Sequence, residues 1–337
     1  MVGLILRRLL GALPAIAGIV VLTFVLTRLL PGDPAAFFAG PAATQASIEE
    51  VRRQLGLDRS LALQFIDYVG DLLRLDLGRS LASGQSVVHD LAARLPATLE
   101  LTLAALAVAA LVGIALGVGA ALRPGRWPDR LCSAVTVLGQ ALPTFFLGLM
   151  LVYVFYYLLE WAPAPMGRLE IFVSSPTEVT GFWSIDALIG GEFDTFRGVM
   201  RQLVLPVLTL AAFGAGPIAR MTRTALIEVL QGESVRMVCA YGLSSRRVLW
   251  TYGFLPAAVP ILNTIGMVSS FLLGANVLVE KVFGWPGVSA YAIESLLVSD
   301  FAPVQGFVLL MAVIYVLVNL LIDITAALID PRVRLHG

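Results

Sequence analysis

The amine, imidazole and thiol side chains that carry most protein chemistry are reduced here to one lysine, Lys281, two histidines, His89 and His336, and two cysteines, Cys132 and Cys239. A phosphate-cradling loop of the GxxxxGK[ST] type needs a lysine directly after a glycine. Lys281 follows Glu280, so the chain contains no such loop. A serine nucleophile inside a helical bundle needs a histidine beside it as base. His89 falls in a long polar segment and His336 in the last residues, which closes that route and leaves no pair of imidazoles for a metal. Carboxylates in apolar stretches would suit proton or ion coupling, because each is costly in hydrocarbon and is retained for function. Only Glu100 and Asp323 fall in such stretches, each within about two turns of an end, where pairing with an interfacial arginine is the commoner use. No catalytic residue, bound cofactor or metal ligand is expected, and the chain reads as something other than an enzyme.

The elements that surround these few groups are those of an integral membrane protein. The composition is 58% hydrophobic and 14% charged with a mean hydropathy of +0.87, where a soluble domain carries about 25% charge. A hydrocarbon core of ~30 Å takes about 20 helical residues to cross. Six stretches are long enough: residues 9–30, 96–122, 131–159, 203–221, 257–279 and 304–329. The first resembles a secretory leader, with Arg7 and Arg8 before an apolar run, but it is longer than such a core and ends in TRLLPGDPA without a small-residue cleavage site. It reads as a retained helix.

Six spans put both termini on one side, and arginine counts over the short connections say which. The loops at 123–130 and 222–256, with the termini, carry Arg7, Arg8, Arg123, Arg126, Arg130, Arg223, Arg236, Arg246, Arg247, Arg332 and Arg334, which places them inside. The opposite loop, 160–202, is net acidic. The 31–95 segment is long enough to be exported regardless of its arginines. The resulting layout is all-α: six transmembrane helices, a periplasmic insertion after the first, and a core over 96–337 with an inner loop at about 223–256. Cys132 and Cys239 then lie at the reducing face, and no disulfide is expected.

The inner loop is the polar interruption ESVRMVCAYGLSSRRVLWTYGFLP, residues 233–256. The stretch up to Gly242 predicts a helix continuing the fourth span, with Val235, Val238 and Cys239 on one face. Gly242 suits a left-handed helix stop, and Ser244 or Ser245 can cap a second helix striped by Val248, Leu249 and Tyr252. From the residues alone two uses remain open. The hairpin rests on lipid headgroups through Arg246 and Arg247, or it is a knob that docks a soluble partner.

This loop resembles that of binding-protein-dependent ABC import permeases of the peptide type. Gly242, Leu243, Ser244, Arg247, Val248, Leu249 and Pro260 match in register, whereas Met237, Val238, Cys239, Tyr241 and Pro256 depart from the usual residues. The resemblance extends to RRLLGALPAIAGIVVLTFVLTRLLPGDPA at the start, to LGLDRSLALQFIDYVGDLLRLDLGRSLASGQSVVHDLAARLPATLEL, to VLVEKVFGWPGVSAYAIESLLVSDFAPVQG, and to the closing LIDPRVRL. It covers most of the chain in family order.

What the resemblance implies is a type I permease subunit in a bacterial inner membrane with both termini cytoplasmic. It would pair with a second, homologous permease, two ATP-binding subunits and an extracytoplasmic substrate-binding protein. ATP and Mg would be held by the partners, and none of it by this chain. The loop would be the ATPase dock, carried by Glu233, Arg236, Cys239, Tyr241, Gly242, Leu243, Ser244, Arg246 and Arg247. Trp285, in the GWPGVSAY turn, would lie near an outer gate, although a Trp at this depth also serves as an interface anchor. Polar residues within the spans, Gln140, Asn263, Asn276 and Asn319, are candidates for a solute path or for interhelical bonding, and Pro143 is expected to kink the third span and free carbonyls toward a cavity. Residues 31–95 hold two amphipathic pieces that suggest a small cap held by its own leucines, with a surface open to a binding protein. Dipeptides, oligopeptides, glutathione, nickel complexes and oligosaccharides are all cargo of the resembled family. The rival reading is a membrane scaffold whose inner hairpin recruits a soluble partner without transport.

Overall fold

The computed structural model describes residues 2–29, 35, 40, 43–54, 56–170 and 173–329. The PGDP of the first exit and all but the first two residues of LIDPRVRL, with Arg332, Arg334 and His336, lie outside the described residues.

Helices dominate because the sequence consists of long apolar runs whose backbone groups can be satisfied only internally once water is absent. In chain order they are α1 (Val2–Leu29), α2 (Gln45–Gln54), α3 (Leu61–Leu73), α4 (Val87–Leu122), α5 (Trp127–Ala141), α6 (Thr144–Leu158), α7 (Trp183–Ile189), α8 (Phe193–Gln231), α9 (Glu233–Ala240), α10 (Ser245–Val282), α11 (Val288–Leu297) and α12 (Phe301–Ile329). Only an isolated bridge, Arg79 to Ser86, stands for β structure among the described residues.

Five helices are long and apolar enough to cross a membrane: α1, α4, α8, α10 and α12. The expected third span is different. It is broken into α5 and α6, which meet at 101°. Leu142 and Pro143 are both extended at the break, with ψ of 139° and 138°. The reason is local: Pro143 lacks an N–H and disfavours helical backbone at the residue before it. Six spans are reached only when this bent pair is taken as one. The fourth and fifth spans also run further than hydropathy suggests, since α8 has 39 residues and α10 has 38.

The chain forms two compact units. One comprises the described parts of 1–9, 96–290 and 315–337. Its centre is α8, whose buried face includes Leu203, Leu210, Ile218 and Leu226, packed by α5, α6, α7 and α10. Close approach to α4 depends on small residues one turn apart. A Cβ on Gly113 would fall 2.8 Å from the Ile218 Cβ, and one on Gly117 would fall 2.5 Å from the Thr222 Cβ. This is GxxxG packing, in which dispersion between backbones replaces a hydrophobic drive that lipid cannot supply. The two carboxylates foreseen in apolar stretches are paired. Glu100 meets Arg168 at 2.6 Å, both buried, and Asp323 meets Arg8 at 3.1 Å.

The second unit comprises the described parts of 10–95 with 291–314. α2 and α3 are the two amphipathic pieces expected in the insertion. Their leucines do not hold it together, however: α3 buries none of its residues, and Leu61, Leu63 and Leu73 are exposed. Aromatic contacts serve instead, with Phe24 of α1 edge-on to Phe65 at 5.1 Å and Tyr68 bonded to Thr23 at 3.2 Å. The loop before α4 is pinned by carboxylates. Asp300 accepts the Ser80 hydroxyl and the Leu81 N–H, both at 2.7 Å, and Asp90 accepts the Ser83 and Tyr291 hydroxyls at 2.6 and 2.7 Å.

Candidate functional site

The inner loop grows from the end of α8. Gly232 takes an extended ψ of 153° and interrupts the helix, so the continuous helix expected up to Gly242 is two helices, α8 and α9. α9 is amphipathic over its two turns: Val235 and Val238 are buried, whereas Cys239, expected on the same face, is exposed. Gly242 then has φ of +78°, a left-handed conformation in which glycine carries no side-chain penalty. Its N–H reaches the Cys239 carbonyl at 2.9 Å and closes the turn. Ser244 stands at the cap of α10 through its backbone carbonyl, which accepts the Val248 N–H at 3.0 Å; its hydroxyl makes no cap.

Val248 returns the chain to Val235 and Val238, with Val229, Leu230 and Leu243 around them. The widened, π-helical turn at Val248–Phe254 stands just before Pro256, whose missing N–H breaks the regular ladder. A compact hairpin results. Its buried side is all aliphatic, and its outer side exposes Glu233, Arg236, Met237, Cys239, Tyr241, Gly242, Ser244, Arg246 and Arg247, with Leu243 half-buried between. Its root is braced by Asp129 of α5, which accepts Arg223 Nε at 2.5 Å, Arg223 Nη2 at 3.0 Å and the Gly125 N–H at 2.8 Å.

The second candidate feature is a cavity of about 570 Å³ beside the α5–α6 break. Gln140, Pro143, Thr144 and Phe145 form one wall, and Phe213 of α8 with Ser270, Phe271 and Gly274 of α10 forms the other. No charged side chain lines it. Phe213 and Phe271 stand edge to face at 6.4 Å. At the break, α5 ends on carbonyls that have no following helical N–H, since residue 143 is proline. α6 begins with N–H groups likewise unpaired, the first intrahelical bond being Leu147 N–H to the Pro143 carbonyl at 3.1 Å.

The polar residues foreseen in the spans divide by position. Gln140 and Pro143 line the cavity. Asn276 is fully buried and donates to the Thr102 hydroxyl, an interhelical bond between α10 and α4. Asn319 donates to the Tyr315 carbonyl of its own helix at 2.8 Å, and Asn263 is exposed. Trp285 is 1% exposed, and its indole N–H donates to the Ala97 carbonyl at 2.8 Å. The turn around it is braced by the Gly167 N–H, which reaches the Phe283 carbonyl at 3.1 Å. Glu280 was missed by hydropathy, which ends the fifth span at residue 279. The helix runs on to Val282 and buries this carboxylate completely.

The comparisons with known proteins bear on this pairing of a docked-looking hairpin with a membrane cavity. Residues 113–335 match the family described as binding-protein-dependent transport system inner membrane component, and residues 1–102 match that family's N-terminal domain. The chain belongs to this family. Among its relatives, the "Probable D,D-dipeptide transport system permease protein" of Escherichia coli K12 is 40% identical, over 98% of this chain and 97% of the relative. The di/tripeptide transport system permease protein of Pseudomonas aeruginosa UCBPP-PA14 is 38% identical over 99% of both. The glutathione transport system permease protein of Salmonella typhimurium LT2 is 36% identical over 99% of both. The permease is therefore a membrane subunit of an ATP-driven importer and not an enzyme. It belongs to the inner membrane and works with ATPase and substrate-binding partners.

Proposed function

We propose that the permease forms half of a translocation path for di- or oligopeptides or a similarly small zwitterionic solute such as glutathione. The relatives' names support that cargo class. So does the cavity: an uncharged lining with an aromatic pair tolerates many side chains, while freed carbonyls and N–H groups at the α5–α6 break suit a peptide backbone. The other half of the path would come from a second, homologous permease, since one chain of this size encloses little space. Two ATPase subunits would dock on the hairpin around Gly242, and a periplasmic protein would deliver the solute. In this arrangement both termini and the hairpin face the cytoplasm.

The observation that carries the reading is the hairpin. A buried aliphatic side of Val235, Val238 and Val248 fixes its shape, so the exposed ridge of Arg236, Tyr241, Gly242, Arg246 and Arg247 is presented as one rigid surface. A rigid knob transmits force, whereas a helix lying on headgroups would put its valines into lipid. The test is native mass spectrometry of the tagged complex together with uptake into proteoliposomes. One copy of this chain with a second permease and two ATPases is the expected mass. Gly274→Trp, which points into open space beside the cavity, is expected to abolish uptake and leave the complex assembled. Recovery of the chain alone, under conditions that keep another importer intact, sinks the reading.

A further inference from the structure

The end of α10 remote from the hairpin holds Glu280, which takes no part in the cavity or the dock. Its carboxylate accepts the Thr98 hydroxyl of α4 at 2.6 Å on one oxygen and the Ala290 N–H of α11 at 2.8 Å on the other. Thr98 in turn accepts the Val288 N–H at 2.9 Å. The first-turn N–H groups of α11 have no partners within their own helix, and they end on side chains from α10 and α4. The carboxyl group also lies at the positive end of that helix. No ion pair to Glu280 occurs among the described residues. Room for it exists only because residue 287 is glycine, since a Cβ there would overlap both carboxylate oxygens. Between these anchors runs the Phe283–Gly287 turn that carries Trp285, itself bonded to α4 through Ala97.

We propose that Glu280 is a positioning residue of the transport cycle. Through its two oxygens it fastens the first turn of α11 and the Trp285 turn to the far end of α10 and to α4. Movement delivered to α10 at the hairpin then travels along a helix about 57 Å long and displaces that corner as one piece. The inference rests on the importer reading with docking at the Gly242 hairpin. The chemistry of the cage requires acceptors on both oxygens. In Glu280→Gln one terminal atom becomes a donor: turned toward Ala290 it sets N–H against N–H, and turned toward Thr98 it forces the hydroxyl to accept and leaves the hydroxyl proton without its carboxylate acceptor.

The test uses the full complex with its ATPase subunits in lipid nanodiscs, with Pro286→Cys as a reporter on the exposed edge of the turn and its labelling read apart from that of the exposed native Cys239 by mass spectrometry of the labelled peptide. The rate of maleimide labelling is measured without nucleotide and after trapping with ATP and vanadate. With Glu280 intact, trapping is expected to change the rate on the order of five-fold or more. Added Glu280→Gln or Thr98→Val brings the ratio of the two rates toward one while basal ATP hydrolysis stays within two-fold. Thr98→Ser, which keeps the hydroxyl, retains the original ratio. A ratio unchanged in Glu280→Gln and Thr98→Val, or lost equally in Thr98→Ser, overturns the proposal. If the complex with Glu280 and Thr98 intact hydrolyses no ATP, the importer reading falls instead, so the two failures are distinguishable.

Discussion

Replacing Gly242 isolates a backbone term at the proposed dock, because nothing lies within 4 Å of a Cβ built there and a new side chain meets no steric resistance. The whole effect must come from holding φ at +78°. A left-handed conformation costs an L-residue roughly 1–2 kcal/mol, less for asparagine, which bonds locally, and more for a β-branched residue. Since about 1.4 kcal/mol is a factor of ten, Gly242→Ala is expected to lower the affinity of the permease for its ATPase subunits by about 5- to 30-fold. Gly242→Asn should lose less, and Gly242→Val should lose most. The assay is the dissociation constant between the permease in nanodiscs and the purified ATPase subunits. The order Asn, Ala, Val carries the argument. Wild-type affinity for Gly242→Val would show that the turn does not shape the dock. Asparagine as damaging as valine would show that side-chain bulk against the ATPase, and not backbone conformation, sets the loss.

Two further outcomes follow from buried charges in the first unit. Arg168 and Glu100 are 5% and 3% exposed at 2.6 Å, and removing one partner from such a pair costs about 3–5 kcal/mol because the other is left buried and uncompensated. The Ser184 N–H also bonds Glu100, at 2.8 Å, so its hydrogen exchange reports the opening. Arg168→Met should accelerate it about 150- to 5,000-fold, the free-energy change in the double variant with Glu100→Gln should be less than the sum of the singles, and strict additivity would refute the coupling.

Asp186, in the first turn of α7, responds to pH. Burial alone raises its pKa, but the Thr180 hydroxyl and the N–H groups of Thr180, Val179 and Gly181 outweigh that and hold it below the usual carboxylate value. A depressed carboxylate pKa contributes stability that is present above about pH 4, the unfolded value, and is lost as pH falls through the folded one. Protection of the amides at residues 179–181, taken relative to their intrinsic exchange rates, should therefore be high at neutral pH and fall below about pH 4, and Asp186→Asn should abolish that dependence. Protection unchanged down to strongly acid pH in the unsubstituted chain would contradict it.

Much of the hairpin was legible because its signals are local. Gly242 reports a left-handed turn, and Val235 and Val238 before it, like Val248, Leu249 and Tyr252 after it, stand at helical spacing within their own helices, so backbone sterics and periodicity suffice for each helix without knowledge of neighbours. Cys239 escaped for the same reason: spacing allows it on the buried face, but only the packed hairpin decides how wide that face is. Gly232 was likewise invisible as a break, since a glycine within a helical pattern is tolerated as often as it interrupts.

Apolar run length fixed the membrane class, because a hydrocarbon core admits few solutions, and Pro143 already marked the weak point of the third span. How far a proline opens a helix depends on what packs beside it. The 101° corner and the cavity between α5, α6, α8 and α10 therefore belong to tertiary structure. The same division separates Asn276 from Gln140, alike in sequence as lone amides in apolar runs. One is taken up by Thr102 of α4, and the other is left facing the cavity. Glu280 shows the division most sharply. Hydropathy places a charged residue at the rim of a span, where water would solvate it. Only the return of the chain through Gly287 and α11, residues that sequence reads as a turn and a short apolar helix, brings the donors that allow the carboxylate to be buried.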